Sequence, residues 1–118
     1  MKLSEIQERL GAQVLTEQVS LDQEAETAFA SDLMSDVLAY SRNTSILITG
    51  LSNPQIIRTA EMLDVKCIIL ARGKQADRGM IELADESGVV LMSSEKFVFD
   101  VCSILSDIGL TGGGQHAK

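Results

Sequence analysis

Between Thr44 and Met92 the chain alternates short apolar runs with helical patterns. Ser45–Thr49 is followed by a helix opening at Asn53-Pro54, and Lys66–Leu70 by a turn at Arg72-Gly73-Lys74 and a second helix. Val89–Met92 closes the series. Strands separated by helices in this order are βαβ units, and they predict an α/β fold with a mainly parallel sheet. Lys66–Leu70 is almost continuously apolar, as a strand covered on both faces must be. Loops at the carboxyl ends of such strands are where ligands gather, so this stretch sets both the architecture and the place to look for function.

The chain of 118 residues is read as one domain, residues 1–110, with its core in 26–108 and a flexible glycine-rich tail in 111–118. Its apolar content of 45% is carried by aliphatic residues, enough to fill a small α/β core. Net charge is −7 and uneven: residues 1–43 hold eight acidic and three basic residues, residues 44–118 nine and seven. An acidic chain with no aromatic-basic patch to neutralise phosphates is a poor candidate for nucleic acid, and none is expected as a partner. Ser4 and Glu5 follow Met1-Lys2-Leu3 directly, so no signal sequence is expected. The apolar runs fall far short of the ~18 residues a spanning helix needs. A cytoplasmic protein with no membrane association is expected. Cys67 and Cys102 both sit inside apolar patterns, which predicts buried, reduced thiols.

Before the central stretch, Ser4 and Gln7 form a capping box for a short helix carrying Leu3, Ile6 and Leu10 and ended by Gly11. Ala12–Leu15 and Ala28–Ala30 are short strand candidates, with a polar, exposed connection from Thr16 to Glu26. A helix is predicted from about Ser31 to Tyr40, with Leu33, Met34, Val37 and Leu38 on its buried side. Ser31 and Ser35, and Asp32 and Asp36, then repeat at i,i+4 on the outer faces. That polar face is either an interaction surface for a cation, a basic partner or a ligand, or a solvated face whose first turn favours acid. In the next helix Asn53 is the expected cap, Pro54 takes the first turn, and Ile56, Ile57, Ala60 and Leu63 face inward. Met80, Ile81 and Ala84 mark a further helix stopped at Ser87-Gly88. Ser93-Ser94-Glu95 opens the last one, carrying Phe97, Val98, Val101, Cys102 and Leu105 and closed by Gly109.

Three strand-end segments converge at one sheet edge. Gly50 lets a ligand approach the backbone, Ser52 and Asn53 offer hydrogen bonds at a helix start, and Arg72 and Lys74, around Gly73, neutralise a phosphate or carboxylate. Ser93 completes the candidate ligand-binding set. The same residues also suit purely structural roles: Asn53 as a cap, the glycines as turns, the basic residues as a solvated rim. Catalytic motifs are missing. A phosphate-binding P-loop needs G-x-x-x-x-G-K-[ST], whereas Gln75 follows Gly73-Lys74 and Ile68 stands at the first glycine position. His116, the one histidine, lies in the glycine tail, which removes the usual zinc sets and any triad built on an internal histidine. No metal, no cofactor and no enzymatic activity are expected.

The segment from about Glu26 to Leu105 resembles the DRTGG domain family. The likeness lies in the strand–Gly50–helix unit, Ala60-Glu-Met-Leu-Asp-Val65 before an apolar strand, Gly73, Ile81-Glu-Leu-Ala84 before Gly88-Val89, and Ser93–Phe97 at the last helix. The run from Ala30 to Leu38 is especially similar to stand-alone members. Related modules are fused to phosphotransacetylases and regulatory inorganic pyrophosphatases and resemble the N-terminal domain of HPr kinase/phosphorylase. The resemblance implies a three-layer α/β/α sandwich and a non-catalytic, cytoplasmic, homodimeric regulatory domain. A nucleotide or other small anion at the strand-end loops is one implied input. The alternative is an interaction adaptor acting on a redox or signalling partner. The chain departs from the family at its signature: Leu51-Ser52 replaces the Asp-Arg pair after the strand-end glycine, and Ala71-Arg72-Gly73 replaces the second glycine signature.

Overall fold

A computed structural model describes residues 1–114. The element order is α1 (Leu3–Leu10), β1 (Gln13–Val14), β2 (Thr27–Ala30), α2 (Met34–Tyr40), β3 (Ile46–Thr49), α3 (Pro54–Met62), β4 (Cys67–Leu70), α4 (Arg78–Ser87), β5 (Val90–Ser93), α5 (Val98–Asp107) and β6 (Thr111–Gly112). The sheet runs β1-β5-β4-β3-β2-β6. Pairs from β5 through β6 are parallel, and only β1 joins antiparallel, on β5. The α/β/α sandwich with a mainly parallel sheet is therefore what the chain forms.

Side chains alternate across each strand, and the two faces divide the core. Ile46, Ile48, Cys67, Ile69, Val90 and Met92 pack with Leu3, Ile6 and Leu10 of α1 and Val101 and Leu105 of α5. Leu47, Ile68, Leu70 and Leu91 pack on the other side with Met34, Val37, Ile56, Ile57, Ala60, Met80 and Ala84, so α2, α3 and α4 share that face. Every position of β3, β4 and β5 is buried. Two helices thus cover one face and three the other, with α5 crossing back from β5 to β6 at the far side of the sheet.

The structure differs from the sequence reading at several element ends. In α1, Lys2 holds the cap position, its N–H donating to Glu5 Oε1 at 3.1 Å, so the box sits two residues earlier than Ser4. The helix after β2 begins at Met34, with Leu33 at the cap. Ser31 and Asp32 precede it, so they share no helical face with Ser35 and Asp36. The cause is local competition: Ser31 Oγ accepts from the Leu33 N–H at 3.0 Å, and Asp32 turns its carboxylate to β3. Leu33 and Leu38, expected inside, are 57% and 40% exposed.

The last helix starts at Val98 rather than in Ser93–Glu95, because Ser93 still belongs to β5. Phe97, expected in the buried stripe, is 64% exposed at the cap of α5. The tail expected from residue 111 is ordered through its first part. Thr111 and Gly112 pair with Thr27 and Ala28, and the Gly113 N–H donates to Ala28 O at 2.9 Å. Glycine is what permits this: a Cβ at Gly113 would collide with Thr44 Oγ1, which is hydrogen-bonded to Ser41. Residues 115–118 of the expected tail, with His116, lie outside the described residues.

Candidate functional site

Because β2, β3, β4 and β5 are parallel, their carboxyl ends share one edge. Ser31–Leu33, Gly50–Asn53, Arg72–Lys74 and Ser93–Lys96 all emerge there. The chain changes faces between β4, whose loop feeds α4, and β5, whose loop feeds α5. In open α/β sheets that change of winding opens a crevice for a ligand.

Here the crevice is zipped shut. Arg72 N–H donates to Lys96 O at 2.8 Å and Gly73 N–H to Ser94 O at 2.7 Å. Both residues take left-handed backbone angles, φ 62° and 70°, which aim the two N–H groups at the β5 loop. For arginine that conformation costs about 1–2 kcal/mol, offset by the two bonds it allows. Ser93 Oγ donates to Lys74 O at 2.5 Å and accepts from Gln75 Nε2 at 3.2 Å. Glu95 lies against Gly73, where a Cβ would stand 3.2 Å from its Oε2. A carboxylate therefore occupies the surroundings of Gly73, the side chain of Lys74 is exposed, and the hydroxyl of Ser93 is engaged.

One strand further along, the surface is open. Gly50, itself buried, follows β3 directly, and its N–H donates to Asp32 Oδ1 at 2.7 Å; Thr49 Oγ1 donates to the same oxygen at 3.0 Å. From the other side Arg72 reaches over Gly50, its Nη2 only 3.5 Å from Gly50 O. A Cβ at Gly50 would lie 3.2 Å from Arg72 Nη2 and 3.3 Å from Asp32 Oδ2, so the bare backbone admits both groups. No carboxylate among the described residues forms an ion pair with Arg72. Gly50 and Arg72, both predicted, are brought together, and Asp32, predicted for a separate interaction face, joins them. Its role was hidden because a helical i,i+4 pattern gives no signal of a bond to residue 50.

Ser52 is turned away from this group: its Oγ donates to Gln75 O at 2.5 Å and lies 3.6 Å from Met80 Sδ, tying the α3 start to the next loop. Asn53 holds the cap position of α3 without making the cap bond, and its Oδ1 is buried with no partner among the described residues. The structural cap expected of its side chain is absent. Of the polar-face residues, Ser31 is spent on its own turn, while Ser35 and Asp36 point outward on α2. Clefts of about 380, 490, 230 and 450 Å³ occur elsewhere, and none is lined by the seven predicted ligand-binding residues. Large apolar side chains are exposed at Leu33, Leu38 and Tyr40 around α2 and at Phe97 and Phe99 on α5.

Both thiols are free. Burial pushes the Cys67 thiol far up, and partial burial raises that of Cys102. Cys67 is therefore inert at neutral pH, while the partly exposed Cys102 keeps ordinary, weak thiol reactivity. No group of His, Cys, Asp and Glu among the described residues could hold a metal ion, and no described helix is long and apolar enough to cross a membrane.

The molecule is thus a mainly parallel α/β/α sandwich whose strand-end loops are hydrogen-bonded to one another along one edge. The DRTGG domain model matches residues 5–108, and the chain belongs to the DRTGG domain family. The fold is shared with the crystal structure of the CBS and DRTGG domains of the regulatory region of Clostridium perfringens pyrophosphatase, complexed with an activator, diadenosine tetraphosphate. The TM-score is 0.70 at 16% identity over 94% of this chain. This chain spans 50% of that one. No curated protein matches the sequence.

Proposed function

We propose that this chain is a non-catalytic, cytoplasmic regulatory module that takes a small anion, of the nucleotide class, at Gly50 and Arg72. The observation that carries the reading is the Arg72 guanidinium, held over the bare backbone of Gly50 without an ion-pair partner. A phosphate or carboxylate there would gain a charged hydrogen bond at no cost in broken ion pairs. Lys74, Ser52, Asn53, Gly73 and Ser93 then belong to the surrounding loops more than to the contact itself. The pyrophosphatase regulatory region of the same fold is complexed with a nucleotide activator, which supports a ligand of this class. Asp32 and Glu95 nearby keep the affinity modest.

The test is a thermal-shift titration with mono- and dinucleotides and inorganic phosphate. A ligand at 100 times its Kd adds about 2.7 kcal/mol of stability. Arg72→Ala should remove about 1.5–3 kcal/mol of binding. No shift with any of these probes, or a shift unchanged in the variant, would refute the site.

A second reading is favoured by the exposed Leu33, Leu38, Tyr40, Phe97 and Phe99. In it the module is a homodimeric adaptor that presents apolar surface to a redox or signalling partner. The two readings are compatible, since a dimer can carry an anion site on each copy.

A further inference from the structure

Helix α5 carries a knob and a hole along one flank. Phe99 is 79% exposed, and Phe99, Cys102 and Ser106 recur at i, i+3 and i+7, which places them on one side of the helix. Cys102 and Ser106 wall a cleft of about 380 Å³ whose floor is Ala28 and Ala30 of β2 and Gly112 of β6. The cleft is open for two reasons. Of the helices only α1 and α5 cover this face, and α5 packs mainly on β3, so β2 and β6 are less covered. The floor residues also carry no side chain beyond a methyl. At 1.5 Å per residue, the knob at 99 and the wall at 106 are separated by about 10 Å along the helix.

We infer that this flank is the contact face of the homodimer proposed above, with two copies of α5 packed antiparallel and each Phe99 seated in the other copy's cleft beside Ser106. A two-fold contact is self-complementary, so the residue that meets position 106 must be met by it in turn. Pairing 99 with 106 places the axis between Cys102 and Ser103. A knob and a hole on one flank select a second copy as the occupant, and charge permits it at this place. Two chains of net charge −7 repel, and they can meet only where few carboxylates face each other. From Val98 to Ser106 the only charged residue is Asp100, and the antiparallel arrangement brings Lys96 of one copy towards the C-terminal turn of the other, which carries Asp107. The helix dipoles also run head to tail, which favours the pair. The rival surface on α2 carries Asp36 among its exposed apolar residues, and none of the four clefts described above is lined by that helix.

The inference rests on the dimer reading, and the experiment separates the two. Wild type, Phe99→Glu and Tyr40→Glu are sedimented at tens of micromolar, with circular dichroism and thermal unfolding to confirm folding. Wild type is expected at twice 12.7 kDa. Phe99→Glu should weaken association by roughly 100-fold or more, about 2.7 kcal/mol, and run as a monomer, while Tyr40→Glu stays dimeric. Phe99→Ala, expected to weaken the dimer in the same direction, serves if the glutamate variant does not fold. A short bismaleimide should join wild-type copies through Cys102 and fail with Cys102→Ser. A dimer that survives both Phe99 substitutions, or one broken by Tyr40→Glu alone, refutes the α5 contact and leaves the dimer standing. A monomeric wild type refutes both.

Discussion

Replacing Asp32 with alanine is the substitution on which the sequence pattern and the tertiary structure disagree most. On a solvated helix face, alanine would be neutral or slightly favourable, since it would relieve an i,i+4 repulsion of ~0.2–0.5 kcal/mol with Asp36. In the structure Asp32 Oδ1 accepts the Gly50 N–H at 2.7 Å and the Thr49 hydroxyl at 3.0 Å. Gly50 is buried and Thr49 is fully so, and removing the carboxylate strands both donors. An orphaned buried donor costs about 1–3 kcal/mol. The Thr49 hydroxyl keeps one partner as acceptor, from the Leu51 N–H at 3.2 Å, so its share is the smaller. Asp32→Ala should therefore destabilise the fold by about 2–3 kcal/mol. Asp32→Asn retains an acceptor oxygen and should cost under ~1 kcal/mol. Urea unfolding measures this directly as a fall in midpoint at unchanged slope. An alanine variant within ~0.5 kcal/mol of wild type would refute the assigned role of Asp32 and return it to the solvated face.

The two helix caps should behave in opposite ways. Asp77 Oδ1 accepts the Met80 N–H at 2.9 Å, so Asp77→Ala should cost about 1 kcal/mol, whereas Asn53→Ala removes no cap bond and should stay within ~0.5 kcal/mol in the same urea assay. Gly113→Ala should destabilise by about 1–3 kcal/mol and lower the melting temperature, because its Cβ has no room beside Thr44. In the native protein a maleimide should label Cys102 and spare Cys67 until denaturant is added; mass spectrometry showing native labelling of Cys67 would contradict its burial. Met1 N–H donates to Glu24 Oε1 at 2.9 Å, and this contact with the terminal ammonium lowers the Glu24 carboxyl below its usual range. Its small contribution is present above the ordinary carboxylate range and lost as pH falls through the lowered value, so Glu24→Gln should flatten the acid limb of a stability-against-pH curve.

Sequence alone was enough for the order of elements from α1 to α5 and for the strands at the centre of the core. Four-residue runs such as Ile46–Thr49 and Cys67–Leu70 are apolar on both faces, and only a covered parallel strand accommodates that. Gly11 and Gly88 stop their helices in the left-handed conformation, and Pro54 opens α3, all by local backbone preference. The convergence of Gly50 and Arg72 also followed from chain order, because parallel strands bring their carboxyl ends to one edge. What no local pattern contained were contacts between distant residues. Asp32 is drawn out of a helical repeat by an N–H eighteen residues away. Thr111 and Gly112 form an edge strand on β2, and Gly113 follows in a slot beside Thr44 that only a bare backbone enters. The exposure of Phe97 and Phe99 depends on where α5 crosses the sheet, and hence on which strands lack a helix above them. Periodicity records which side of an element is apolar, whereas the packing of the whole chain decides whether enough neighbours exist to cover it.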